Sequence, residues 1–75
     1  MTDLKKHVKK HYKLGRQIQK LRKEKGYTQE EFAEKLRISL SYIGKIEIGE
    51  RKPNLKMLYK IAEKLGVKVK DLIPF

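Results

Sequence analysis

His7 and His11 stand four residues apart, a spacing that sets two imidazoles on one face of a helix. The chain has no cysteine and no carboxylate cluster beside this pair. The plainer reading is therefore two histidines on a solvated basic helix, and no metal or cofactor is expected. No glycine-rich phosphate loop is present, nor a histidine set near a nucleophile in the folded part, so enzymatic chemistry is not expected either. What the chain has in quantity is cations. Twenty Lys and Arg face nine Asp and Glu, for a net charge of +11. The first thirteen residues hold five lysines against one aspartate, and residues 14–75 hold fifteen basic residues against eight acidic ones. The excess thus belongs to the folded part as well as to the lead-in. Such a field attracts a polyanion, nucleic acid first among the candidates. The competing reading is simple solubility.

Seventy-five residues support one core, since a chain of this size buries only about 60% of its unfolded surface. Without cysteine neither disulfides nor zinc thiolates can add stability, and helix packing must hold the domain. No apolar run is long enough for a signal or membrane segment. The expectation is a cytoplasmic protein with no membrane partner, nucleoid-associated when bound to DNA.

Helical periodicity runs through most of the chain. Residues 1–12 read as a basic N-terminal extension whose thin stripe, Leu4, Val8 and Tyr12, prolongs the next helix backward and frays unless covered. The domain proper is placed at residues 13–75. Leu14, Ile18 and Leu21 define the inner face of a first helix that Gly26 ends. Thr28-Gln29-Glu30-Glu31 is a capping box that opens a second helix with Phe32, Ala33 and Leu36 inward. Ser39 caps a third, with Ile43 and Ile46 inward and Gly49 as its stop. Asn54 caps a fourth, whose apolar face is read as Leu55, Leu58, Ile61, Ala62 and Leu65, with Gly66 closing it. No useful run has strand period. The predicted fold is all-α, a bundle of four to five short helices around one core.

Two short capped helices joined by a tight turn, residues 28–48, meet the demands of a helix-turn-helix: a small residue at the helix contact (Ala33) and apolar pins at Ile38, Ile43 and Ile46. The series Arg22, Thr28-Gln29, Ala33, Leu36, Ser39, Ile43, Ile46-Glu47, Gly49, Pro53 and Ile61-Ala62 resembles the Cro/repressor-type (XRE) helix-turn-helix family from about Leu14 to Ile73. The resemblance implies a lambda-repressor-like fold with a supporting helix at residues 29–36 and a recognition helix at 40–47. It places Leu40, Ser41 and Lys45 against base edges. Gln29, Ser39, Tyr42, Arg51 and Lys52 would face the DNA backbone, and Arg22 with Glu47 would form a structural ion pair of modest worth if exposed. Tyr42 has a rival role, folded over Ile38 as partial core.

This chain departs from the family pattern at several positions. Arg37 stands where the inter-helix turn usually has a glycine with positive φ. Gly44 lies inside the recognition helix, at a cost of about 1 kcal/mol against alanine. Ile48 replaces a polar residue, and Lys68 replaces the usual serine cap, so the last helix is expected to be short or frayed. The tail is apolar (Val69, Leu72, Ile73, Phe75), and Tyr59, Ile73 and Phe75 are the dimer-interface candidates, with Leu72 and Ile73 equally able to close the core. A transcriptional regulator, repressor before activator, is expected to act as a homodimer on a palindromic double-stranded DNA operator. The alternative is an antitoxin or coactivator-like module whose main partner is a protein, such as a toxin or another regulator.

Overall fold

The computed structural model describes residues 2–75, with side chains from His11 onward. Four α-helices and one 3-10 turn make up the architecture: α1 (Thr2–Glu24), α2 (Gln29–Leu36), α3 (Leu40–Glu47), α4 (Leu55–Leu65) and a 3-10 segment at Val69–Leu72. Helix α1 is not short. It runs unbroken for 23 residues, so the basic lead-in and the first helix of the domain are one element. His7, Leu4 and Val8 have side chains outside the described residues.

Local chemistry sets the helix ends. Thr28 accepts from the Glu31 amide while its own amide donates to Glu31 Oε1 at 2.9 Å, so two otherwise unpaired amides of the first turn of α2 are satisfied. Ser39 Oγ accepts from the Tyr42 amide, and Asn54 Oδ1 from that of Met57. Helix α2 ends at Arg37, which adopts φ 58° and ψ 43° and sends its amide back to the α2 carbonyls. The turn therefore keeps the left-handed geometry that glycine normally supplies, at the expense of backbone strain in a non-glycine residue. Lys60 of α4 donates to the Leu36 carbonyl, covering another open end of the same helix. Lys68 provides no side-chain cap; Asp71 takes its amide instead, and the final element stays a single 3-10 turn.

The core joins Leu14 and Ile18 of α1, Phe32, Ala33 and Leu36 of α2, Ile43 and Ile46 of α3, and Ile61, Ala62 and Leu65 of α4. Leu72 is fully buried with them, so the apolar tail folds back and closes the domain. Burying each large aliphatic or aromatic side chain contributes about 1.5–3 kcal/mol. Leu55 departs from the expected apolar face of α4. It is 63% exposed, because it sits in the first turn of the helix, beyond the edge of the core that starts at Ile61. Leu58 is half-buried.

Helix α1 meets the end of α3 at unusually close range. A Cβ at Gly15 would lie 2.2 Å from the Ile46 carbonyl oxygen and 2.6 Å from that of Glu47. Only a residue without a side chain lets the two backbones approach this far. Gly49, at φ 83°, lies under the Tyr12 backbone in the same contact.

Candidate nucleic-acid interface

Helix α3 is fixed from within and bare outside. Ile43, Ile46 and Glu47 are buried, while Leu40 (46% exposed), Ser41 and Lys45 project outward on consecutive turns. Gly44 lies between them on that outer face, with nothing within 4 Å of where its Cβ would be. The result is a low saddle flanked by a hydroxyl and an ammonium group. Ile48, also exposed, continues the face at the C-terminal end. Tyr42 is only partly open and packs against the core, so it plays the partial-core role that its position allowed.

Beneath α3 lies an ionic network. Arg22 Nε donates to Glu47 Oε2 at 2.7 Å and its second terminal nitrogen to Oε1 at 3.1 Å. Its remaining terminal nitrogen donates to the Tyr27 carbonyl. The side chains are 6% and 0% exposed, so the structural ion pair implied by the resemblance is present and is buried. A fork-on-carboxylate pair of this kind, desolvated and fully hydrogen-bonded, fixes geometry and tolerates no half-removal. Gln29 Nε2 adds a third donor, 2.9 Å from Glu47 Oε1. The amide placed at the DNA backbone by resemblance is thus held by Glu47 of α3 through one of its two N–H bonds. The Gln29 contact had no signature in the residue pattern.

Ser39 remains exposed; its oxygen lone pair caps α3 and its hydroxyl proton is still available to donate. Arg51 and Lys52 are exposed in the loop that leaves α3, where the amides of Glu50 and Arg51 both close on the Lys45 carbonyl. Gln29, Ser39, Ser41, Lys45, Arg51 and Lys52 come from three elements that the network and the core hold together. Tyr59, Ile73 and Phe75 lie elsewhere, on α4 and the tail, and all three are exposed. Among the described residues no group of three or more potential ligands could hold a metal ion, and no helix is long and apolar enough to cross a membrane.

Residues 18–72 match the helix-turn-helix family model HTH_3. The chain belongs to the helix-turn-helix family. An uncharacterized HTH-type transcriptional regulator of Bacillus subtilis, YazB, is 45% identical over 60 residues, covering 80% of this chain and 87% of its own. The immunity repressor protein of Bacillus phage phi105 is 37% identical over 60 residues, covering 80% of this chain and 42% of that longer protein. Among solved structures, the restriction-modification controller protein C.AhdI from Aeromonas hydrophila superposes with a TM-score of 0.84 at 31% identity, covering 89% of this chain and 97% of that one. This helix-turn-helix protein is therefore placed with transcriptional regulators and not with enzymes. The boundaries of α2 and α3 coincide with those that the resemblance implies for a supporting and a recognition helix.

Proposed function

We propose that this helix-turn-helix regulator binds double-stranded DNA in a sequence-specific way, with α3 in the major groove, and represses by occupying its site as a homodimer. The observation that carries the reading is the asymmetry of α3. Its inner face is pinned by Ile43, Ile46 and the Arg22–Glu47 pair, and its outer face offers Leu40, Ser41 and Lys45 with nothing of the protein over them. Lys45 donates to guanine O6 or N7, Ser41 serves several bases, and Leu40 presses on a thymine methyl. Gly44 lets the sugar-phosphate chain come close. Gln29, Ser39, Arg51 and Lys52 hold phosphates around this contact.

One recognition helix covers few base pairs, and a dimer placing two of them about 34 Å apart reads a palindrome. Exposed apolar side chains support such a contact. Tyr59 is 60% exposed and Leu55, one turn before it on α4, is equally open, with Ile73 and Phe75 on the adjoining tail. Leu55 joins the interface candidates because of this placement.

Selection of bound sites from random duplexes tests the reading directly. A palindromic consensus is expected, and Lys45→Ala should lose about 1–3 kcal/mol of preference at one base step while weakening binding to random DNA less. Equal loss on both kinds of DNA would refute direct readout by Lys45. Sedimentation with the selected duplex tests the dimer, and a monomer throughout would refute it.

A further inference from the structure

Helix α1 carries nine of the twenty basic residues of the chain against only Asp3 and Glu24. Four of them, Lys13, Arg16, Lys20 and Lys23, repeat at intervals of three and four and are all exposed. The spacing continues backward along the same helix to Lys9 and Lys6. At roughly 100° per residue the four lie about half a turn from Leu14, Ile18 and Arg22, the side of α1 that packs into the domain. Among the described residues none of the four is ion-paired, although the surface bears acids elsewhere. Like charges at these intervals are neighbours on a helix and repel one another. A merely solvating surface would intersperse acids. This one concentrates a single sign along a line.

The stripe also has relief. A shallow groove of about 730 Å³ runs between it and the chain end, lined by Tyr12, Lys13, Arg16, Lys20, Lys23 and Pro74. Arg16 is steadied with its guanidinium 5.8 Å from the Tyr12 ring centre. Gln17, at the border, ties α1 to the Asp71 carbonyl and so fixes the tail that forms the far wall. From Lys13 to Lys23 the line is about 15 Å long, and from Lys6 about 26 Å. A straight row of this length suits a rod-like polyanion carrying closely spaced charge along its axis. A lipid surface is a poorer match, because insertion requires an apolar face and the apolar side of α1 is committed to the core.

We propose that the outer face of α1 is a second, sequence-independent nucleic-acid site, which takes the phosphate backbone of a duplex other than the one facing α3. The Gly15 side of α1 is pressed against the α3 carbonyls, and the stripe is turned well away from that contact. A duplex seated on Leu40, Ser41 and Lys45 leaves the stripe free, and one chain then holds two DNA segments. This site stands independently of base readout by α3.

The experiment uses the full chain and two variants, K13Q/R16Q/K20Q/K23Q and S41A/K45A, with K13E/K20E as a second stripe variant should the fourfold change lower helicity. Affinity for a random 30-base-pair duplex is measured across salt, together with capture of a labelled second duplex by protein already bound to an immobilised one. Neutralising four phosphate contacts should make the log–log salt slope less negative by about 3–4. Second-duplex capture should fall at least tenfold in either stripe variant and persist in S41A/K45A. An unchanged slope and unchanged capture in the stripe variants would overturn the proposal. Capture lost only in S41A/K45A would overturn it as well, as would loss of binding to phosphatidylserine vesicles with duplex capture intact. Loss in the stripe variants with no effect of S41A/K45A on any duplex would uphold this site while refuting readout by α3.

Discussion

Replacing Gly15 with alanine separates packing from propensity, because an intrinsic gain and a structural loss act at one atom. In an open helix the change would stabilise by about 1 kcal/mol. Here the new methyl would sit 2.2 Å from the Ile46 oxygen, 2.6 Å from the Glu47 oxygen and 2.8 Å from the Glu47 carbonyl carbon. All three are backbone atoms near the end of α3, so no rotamer change relieves the overlap. The helices must part by about 1 Å, and a gap of that size forfeits a quarter to a half of the dispersion well for each contact along the seam. It also draws Arg22 away from Glu47, now 2.7 Å apart. Overpacking of this kind costs about 1–3 kcal/mol. With propensity offsetting about 1 kcal/mol of that, a net loss of up to about 2 kcal/mol is expected, centred on about 1 kcal/mol, or a drop of roughly 4–8 °C in Tm for a domain of this size. Gly44→Ala is the matched control. It is the same change inside a helix, but in open space, and should raise Tm by up to about 8 °C. Thermal and urea denaturation of the three proteins decide the matter. If Gly15→Ala is as stable as Gly44→Ala, α1 does not rest on the α3 carbonyls and the account of the seam fails.

Glu47→Ala strands the Arg22 guanidinium in a buried site and should cost about 3–5 kcal/mol, whereas the paired change Arg22→Met with Glu47→Leu should recover most of the loss; urea titration of the single and double variants measures the difference. Arg37→Gly removes left-handed strain at φ 58° and should stabilise by about 0.5–1 kcal/mol in the same assay, with the α2–α3 turn unchanged by NMR. The Thr28 backbone amide, and then its hydroxyl, hold the Glu31 carboxyl below its ordinary value of 4.5, with Lys35 adding a smaller effect. A depressed folded-state pKa stabilises above that value and the contribution is lost as pH falls through the lower one. The Tm advantage of the wild type over Glu31→Gln should therefore be full at neutral pH and shrink below pH 4.5. An advantage that grows on acidification would contradict the capping box.

Features local in the chain were legible in the residues. Thr28, Ser39, Asn54 and Gly66 mark helix ends because a side-chain oxygen or an unhindered φ acts within three residues of itself, and the structure uses each in that way. Features depending on a distant neighbour were not. Nothing local to Gly15 announces the α3 carbonyls, some thirty residues onward, that lie against it. Arg22 with Glu47 came from the resemblance alone, and Gln29, placed at the DNA backbone, converges on the same carboxylate. Leu55 keeps helical register with Leu58, but periodicity reports a direction and not whether anything lies there. The outer face of α3 was readable as to residue type. Its saddle at Gly44 took the geometry of the whole helix.

The bare outer side of α3 also bears on how such a protein can change its address. Leu40, Ser41, Gly44 and Lys45 contribute little to the interior, while Ile43, Ile46 and Glu47 anchor the helix without facing outward. Changing Leu40, Ser41 or Lys45 leaves the chassis intact, and drift at those three positions is nearly invisible to folding. On the proposed reading of α3, new operators then become reachable by single steps, each intermediate still a well-formed protein.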